Sequence, residues 1–267
     1  MNGSGRTIGF VRSILRILVR RPRIPASLKD NEALRAVLER RSVRRFARKE
    51  IPGHVFDAIL EAGRLSPSTV NLQTWSFAVL SADSWQETFG RPIPFRGQRA
   101  VVVMGDVHRG RSVLDALPPS PLVEYTVAVI NASLAAMNMT LAAEALGVAS
   151  VMLSETGRTG ILDAGYLSKT LELPGGVFPL MTIVFGYARG PRPPMPPKLP
   201  LREVCFEKTY READAGVMED WLAQMKAGYK AYRPLSSFEE QLGVYAQKIG
   251  QAEADLRAMV RHQNGAF

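Results

Sequence analysis

Nineteen consecutive residues, Tyr125 to Ala143, carry no charge. A bilayer span needs ~20 such residues, so the run either crosses a membrane or fills the middle of a large core. Its composition favours the core. Ala is its commonest residue, Asn131, Ser133, Asn138 and Thr140 interrupt it, Glu124 and Glu144 flank it, and Gly147 follows as a helix stop. The run therefore reads as a helix buried on most sides.

Around that helix the sequence alternates between two periods. "SFAVLS" and "RAVVVMG" read as strands joined by the short helix "DSWQETFG", and "GVASVMLS" and "FPLMTIVFGYA" read as two more, separated by the helix "TGILDAGYLSKTLELP" that Pro174 stops. Upstream, Asn31 caps a helix with Leu34, Val37 and Leu38 on one stripe. Pro52 opens another, with Val55, Phe56, Ile59 and Leu60 inward and Gly63 weakening its end. Strands separated by helices predict a layered α/β or α+β architecture rather than a bundle. "RGPRPPMPPKLP" cannot be helix or central strand and is expected to be an extended arm. From about Glu212 the pattern is helical nearly to the end, with an amphipathic stretch beginning at Ser236. The expected organisation is a tail over residues 1–30, a main domain over 31–210 and a helical extension over 211–267.

The formal charge of +9 is concentrated at one end: residues 1–50 hold 14 Lys/Arg against 4 Asp/Glu, leaving 20 against 21 for the rest. A neutral body, with no interleaved aromatics and no zinc spacing, argues against nucleic acid as a partner. In "TIGFVRSILRILVRR", Arg12, Arg16 and Arg20 recur at helical spacing while Phe10, Val11, Ile14, Leu15 and Leu18 fall largely on other faces. Residues 6–23 thus read as a basic amphipathic helix, suited to an anionic membrane surface or to docking on the body or on a partner subunit. Without a long uncharged core or a cleavage site it does not read as a signal peptide. Cys205 is the only cysteine, which fits a reducing compartment and gives a cytoplasmic expectation.

Many catalytic devices are missing from the sequence. No G-x-G-x-x-G follows a strand, no Walker loop or G-x-S-x-G elbow occurs, and His54, His108 and His262 lie far apart without metal-ligand spacing. If the chain is an enzyme, a cofactor carries the chemistry. Two stretches offer places for one. In "RRSVRRF", an extended backbone would send Arg40, Ser42 and Arg44 to one face, suiting a phosphate dianion, with Arg41 between them; a solvated basic patch would look the same. In "SPSTVNLQTW", Pro67 stiffens a loop in which Asn71 and Gln73 offer donors and acceptors fit for the edge of a heteroaromatic ring. A side-chain-capped turn leading into a strand would also look like this.

In this order, about twenty residues apart, the two stretches resemble the start of the FMN-dependent nitroreductase family. The resemblance continues through "LAAEALGVAS", "LELP", "IVFGYARG" and "PPKLPLREV", covering roughly Asn31 to Tyr210. It implies an α+β fold whose central, mostly antiparallel sheet is wrapped by helices, in a homodimer with FMN at the subunit interface. Arg40, Arg41, Ser42 and Arg44 match the phosphate-binding segment. Pro67, Ser68, Thr69 and Asn71 match residues reaching the flavin from the neighbouring subunit, with Gln73 supporting their loop. Glu155, Thr156 and Gly157 match the segment approaching flavin N5, and Lys198 a basic residue near the phosphate. The sequence departs from the pattern at Thr74, where the family has proline, and at Pro94, where a basic residue contacts the ring; either Arg96 substitutes for it or that positive charge is missing. The resemblance implies a ping-pong NAD(P)H oxidoreductase acting on a nitroaromatic or quinone-like acceptor, with no side-chain acid or base. The loop His108 to Pro121, which joins a strand to the long helix and bears Arg109 and Arg111, is a candidate lid; a solvent-exposed connector would look the same. Flavin-dependent dehalogenation, an oxygen reaction consuming the flavin, and a non-enzymatic flavin-binding or membrane-docking role stay open at this point.

Overall fold

Alternating apolar residues turn four runs into the strands of one antiparallel sheet: β1 (Trp75–Ser81), β2 (Arg99–Asp106), β3 (Ala149–Leu153) and β4 (Val177–Gly186), in spatial order β1-β2-β4-β3. All four expected strands are present in this computed structural model, which describes residues 3–20, 22, 24–111, 120–154, 158–232 and 235–261. The register pairs Trp75 with Gly105, Ser81 with Arg99, Arg99 with Phe185 and Phe185 with Ser150. An irregularity between Val103 and Met104 shifts the β2–β4 pairing by one residue.

The chain forms two compact units, one of Pro25–Arg192 with Tyr245–Phe267, the other of Met1–Ile24 with Pro193–Val244. The helices, in chain order, are α1 (Gly3–Val19), α2 (Glu32–Glu39), α3 (Gly53–Arg64), α4 (Ala82–Phe89), α5 (His108–Arg111), α6 (Pro121–Ala145), α7 (Ala164–Thr170), α8 (Leu201–Val204), α9 (Ala215–Tyr232) and α10 (Phe238–Arg261).

In the larger unit the sheet is covered on both faces, which is why β2 and β4 are almost wholly buried rather than alternately exposed. Val101, Val103, Ile183 and Phe185 face α3 and α6; Ala100, Val102, Met104 and Val184 face α4 and α7. The uncharged run is α6. By length and composition it could cross a membrane, yet here it packs against all four strands and buries Ala128, Ala132, Ala135, Ala136, Met139 and Ala143. Small side chains make that close approach feasible: a methyl on Gly105 would lie 3.0 Å from the Ala128 Cβ. Gly63, read from the sequence as a weak point in α3, has a packing role as well, because a methyl there would come within 2.7 Å of Met139 Cγ.

Local signals place the helix ends. The Asn31 side chain accepts from the Leu34 N–H at 2.8 Å and Pro52 opens α3. Ser81 and Ser84 form a reciprocal capping box at the start of α4, which ends at Gly90 with φ +65. In the smaller unit α1 lies along α9, with Arg16 paired to Asp220 at 3.1 Å, Arg20 bonded to Gln224 at 2.9 Å and Ile17 buried opposite Gly228. The beginning of α10 folds back on α9 through Lys226–Glu239 (2.7 Å) and Tyr229–Gln241 (3.0 Å). Residues 192–200 form the expected extended arm.

Candidate flavin site

The basic strip runs extended, the condition under which Arg40, Ser42 and Arg44 share a face. Ser42 bridges to Ser150 in parallel, the Val43 N–H donates to Ser150 O at 3.0 Å, and Phe46 bridges to Ala188. Val43 and Phe46 are buried and tie the strip to the sheet, while Arg44 is exposed and Arg40 and Ser42 half-buried. Arg41 behaves differently. Its guanidinium donates to the Leu38 and Arg40 carbonyls at 2.9 and 2.8 Å and thereby satisfies the C-terminus of α2. With Glu144 and Arg192, themselves 2.6 Å apart, it lines a cavity of about 60 Å³. Burial, then the neighbouring Arg192 and Arg40, hold its pKa below the ordinary arginine value.

The polar loop is strained and internally bonded. Val70, Asn71 and Gln73 all have left-handed backbones, with φ of 47, 57 and 48. For a β-branched residue such as Val70 that conformation costs about 1–2 kcal/mol. The Gln73 N–H donates to Ser68 Oγ at 3.1 Å, the Gln73 amide donates to the Asn71 carbonyl at 3.4 Å, and the buried Ser66 accepts from Asn138 at 2.8 Å. Asn71, Gln73 and Thr69 remain exposed. A residue noted in the sequence only as an interruption organises the loop: Asn131, 1% exposed on α6, accepts from both the Thr69 N–H (3.1 Å) and hydroxyl (3.3 Å) and donates to Thr74 Oγ1 at 2.8 Å. An asparagine inside an otherwise apolar buried helix must find partners, and that was the available signal.

A second unforeseen group sits beside the loop. Asp106, buried at the end of β2, accepts from the Ser76 hydroxyl and from Arg109 Nε at 2.9 Å, and its own N–H donates to the Thr74 carbonyl at 3.1 Å. Arg109 also reaches the Trp75 carbonyl at 2.7 Å, so the first turn of the candidate lid is fastened to the loop's exit. The remainder of that lid, residues 112–119, lies outside the described residues, as do Glu155, Thr156, Gly157 and His262. Of their neighbours, the Arg158 N–H donates to Asp163 at 2.9 Å and the Thr159 carbonyl accepts from Thr182 at 2.7 Å. Pro94 opens a short turn in which Phe95 and Arg96 are left-handed and exposed, just before β2. Lys198 lies in the extended arm of the smaller unit. Among the described residues no three His, Cys, Asp or Glu side chains gather to hold a metal.

The sheet fixes where the two stretches stand. The loop enters at the start of edge strand β1, level with Gly105, whereas the strip flanks the opposite edge strand β3, level with Arg99 at the other end of β2. With strands ~4.8 Å apart and a rise of ~3.3 Å per residue, Trp75 and Ser42 are roughly 25–30 Å apart, at diagonal corners. Arg96 is at the strip's end of the sheet.

A four-stranded antiparallel sheet layered between helices in this way is the nitroreductase-like fold. The Bacillus megaterium protein NfrA2 superposes with a TM-score of 0.72 at 21% identity, over 89% of this chain and 99% of its own. The NADPH:FMN oxidoreductase from Vibrio harveyi, solved with NAD+, gives 0.68 at 19% over 86% and 98%. In sequence the chain is 25% identical over 195 residues to the FMN reductase [NAD(P)H] of Bacillus subtilis, covering 69% of this chain and 76% of that protein. Residues 37–187, more than half the chain, match the Nitroreductase family, and the chain belongs to it.

Proposed function

We propose that this chain is an FMN-dependent oxidoreductase that takes electrons from NADH or NADPH and passes them to a small nitroaromatic or quinone-like acceptor in two alternating half-reactions. The observation that carries the reading is the diagonal placement of a phosphate-type strip and a ring-edge-type loop on one sheet. Roughly 25–30 Å between Trp75 and Ser42 is a long reach for one flavin mononucleotide within a single chain, so the strip and loop of one site are assigned to different protomers. A second copy has a surface to bind. Helix α6 is apolar on nearly every side, and such a helix needs cover all round; yet Val123, Ile130, Leu134 and Met137 are 36–62% exposed along its outer face, next to the loop that Asn131 holds. We therefore assign a homodimer with two flavin sites.

The residues fit the group. Arg40, Ser42 and Arg44 on their extended strip would hold its phosphate by charge-assisted bonds, and Lys198 would add positive charge there. From the other protomer, Pro67, Ser68, Thr69 and Asn71 would border the ring, with Gln73 bracing the loop through the Asn71 carbonyl. Glu155, Thr156 and Gly157 are assigned to its reactive edge, and Arg96 is the candidate for the charge that Pro94 does not provide. Arg41, already engaged at the end of α2, supports the strip rather than touching the phosphate. Bound FMN supplies the two-electron carrier; the chain orients it and shapes access to it.

The test is direct. Purified protein incubated with FMN and desalted should stay yellow, bleach with NADPH without oxygen, and regain colour with a nitroaromatic or a quinone. A colourless protein overturns the reading. A peripheral membrane contact through residues 6–23 is a further part of the proposal, supported by Val11, Leu15, Leu18 and Val19, which stay exposed on α1 although Ile17 docks on α9. Salt-sensitive sedimentation with anionic liposomes, lost on deleting residues 1–24, checks it. The single, exposed Cys205 is consistent with work in the cytoplasm.

A further inference from the structure

We infer that Asn131 is a positioning residue for the flavin, holding the loop from Ser68 to Thr74 in the left-handed shape that turns Asn71 outward. The inference rests on the FMN reading above. Its basis is one buried carboxamide that spans the loop from end to end. The Thr69 backbone N–H can only donate, so the Asn131 atom 3.1 Å from it is the oxygen, and the amide nitrogen therefore faces the Thr74 hydroxyl at 2.8 Å. Both ends of the loop are thus fixed to the same side chain on α6.

Between those ends the bonds are local ones within the loop, from the Asn71 N–H to the Ser68 carbonyl at 3.1 Å and from the Gln73 N–H to Ser68 Oγ at 3.1 Å, whereas Asn131 ties the loop to α6. Val70 is 86% exposed, so its side chain packs on nothing that would offset φ 47, and within the loop the Leu72 N–H turns back to the Thr69 carbonyl at 3.0 Å. Removing the carboxamide strands the Thr69 N–H and lets residues 70–73 relax toward the extended region that L-residues prefer. Because successive residues of an extended chain face opposite ways, Asn71 would lose its present direction. The same geometry gives Thr74 a role: a proline there has no hydroxyl to receive the amide, whereas the threonine hydroxyl accepts it, the carboxamide's orientation being set by the donor-only Thr69 N–H.

Asn138 provides the control, since it lies on the same helix and bonds Ser66 at 2.8 Å, outside the left-handed segment. Apoprotein of the wild type, Asn131→Ala, Thr74→Val, Asn138→Ala and Asn71→Gly is titrated with FMN by flavin fluorescence, and the Tm of each apoprotein is measured. Asn131→Ala should weaken FMN about tenfold or more and Thr74→Val several-fold. At saturating FMN both should move the visible circular dichroism of the bound flavin the same way as Asn71→Gly. Asn138→Ala should lower Tm comparably while leaving FMN affinity and dichroism unchanged. The inference is overturned if Asn131→Ala binds FMN like the wild type, or if Asn138→Ala loses FMN in the same proportion to its Tm. Should Asn131→Ala fail to fold, Thr74→Val decides by the same criteria. Failure of the wild type to bind FMN sinks the functional reading itself, and is distinct from a wild type that binds beside an Asn131→Ala that binds equally.

Discussion

Co-expression of two differently damaged chains, one carrying Arg44→Ala and the other Asn71→Gly, tests the diagonal geometry of the sheet. The first change deletes a charge-assisted phosphate contact worth ~1.5–3 kcal/mol, weakening FMN by about 10- to 150-fold. The second deletes the carboxamide while glycine keeps the left-handed backbone at φ 57. If strip and loop of one site come from different protomers, a mixed dimer concentrates both lesions in one site and restores the other completely. Random pairing makes about half the dimers mixed, so about a quarter of all sites regain wild-type affinity, rising to about half after purification through two different tags. Fluorescence titration should then resolve a tight phase of that amplitude, absent from either variant alone. If mixed dimers isolated through both tags show no tight phase, both contacts come from one chain, and the roughly 25–30 Å separation has been misread as a division of labour between protomers.

Three predictions concern the scaffold. Gly97→Ala places a methyl 2.2 Å from Val184 Cγ1 and 3.2 Å from the Phe185 carbonyl, and should cost ~1–3 kcal/mol, seen as a lower urea midpoint at unchanged m. Trp85 is fully buried against Phe89, and among the described residues its Nε1 has no partner. Trp85→Ala should therefore cost ~3–5 kcal/mol, while Trp85→Phe costs under ~1.5 because an unpaired buried N–H leaves with the lost area; equal losses would refute this. Burial, and secondarily Glu253, raise the Tyr125 pKa above the ordinary value of 10.0. A raised folded pKa gives stability that is complete below about pH 10 and is lost as pH climbs through the folded value, so Tyr125→Phe should flatten the alkaline limb of a stability–pH curve.

How much of this was legible beforehand follows the range of the interactions involved. The four strands could be read because their β-branched runs are bounded by turn residues. The ends of α2 and α3 could be read because Asn31 and Pro52 act within one helical turn. The strip was legible in part: the alternation of Arg40, Ser42 and Arg44 says that they share a face if the backbone is extended, and the bridge to Ser150 supplies that condition. Arg41 shows the limit. Its neighbours in sequence place it among phosphate ligands, while its guanidinium is taken by carbonyls at the end of α2 and by a cavity shared with Glu144 and Arg192, and Glu144 lies more than a hundred residues away.

The sequence by itself determined the secondary elements, the helical, uncharged character of α6 and the two stretches rich in phosphate-type and amide-type groups, because propensity, capping and hydrophobic period are local properties of the chain; burial on most sides was expected of α6, whereas its outer face is exposed in the single chain. Only the tertiary structure decided that those stretches stand at diagonal corners of the sheet, that Gly63 is a packing contact, and that Asn131 and Asp106 grip the two sides of the polar loop. Strand order is set by which faces can be buried together, and a side chain's partners by what that order brings near; neither is encoded in the spacing of neighbours along the chain.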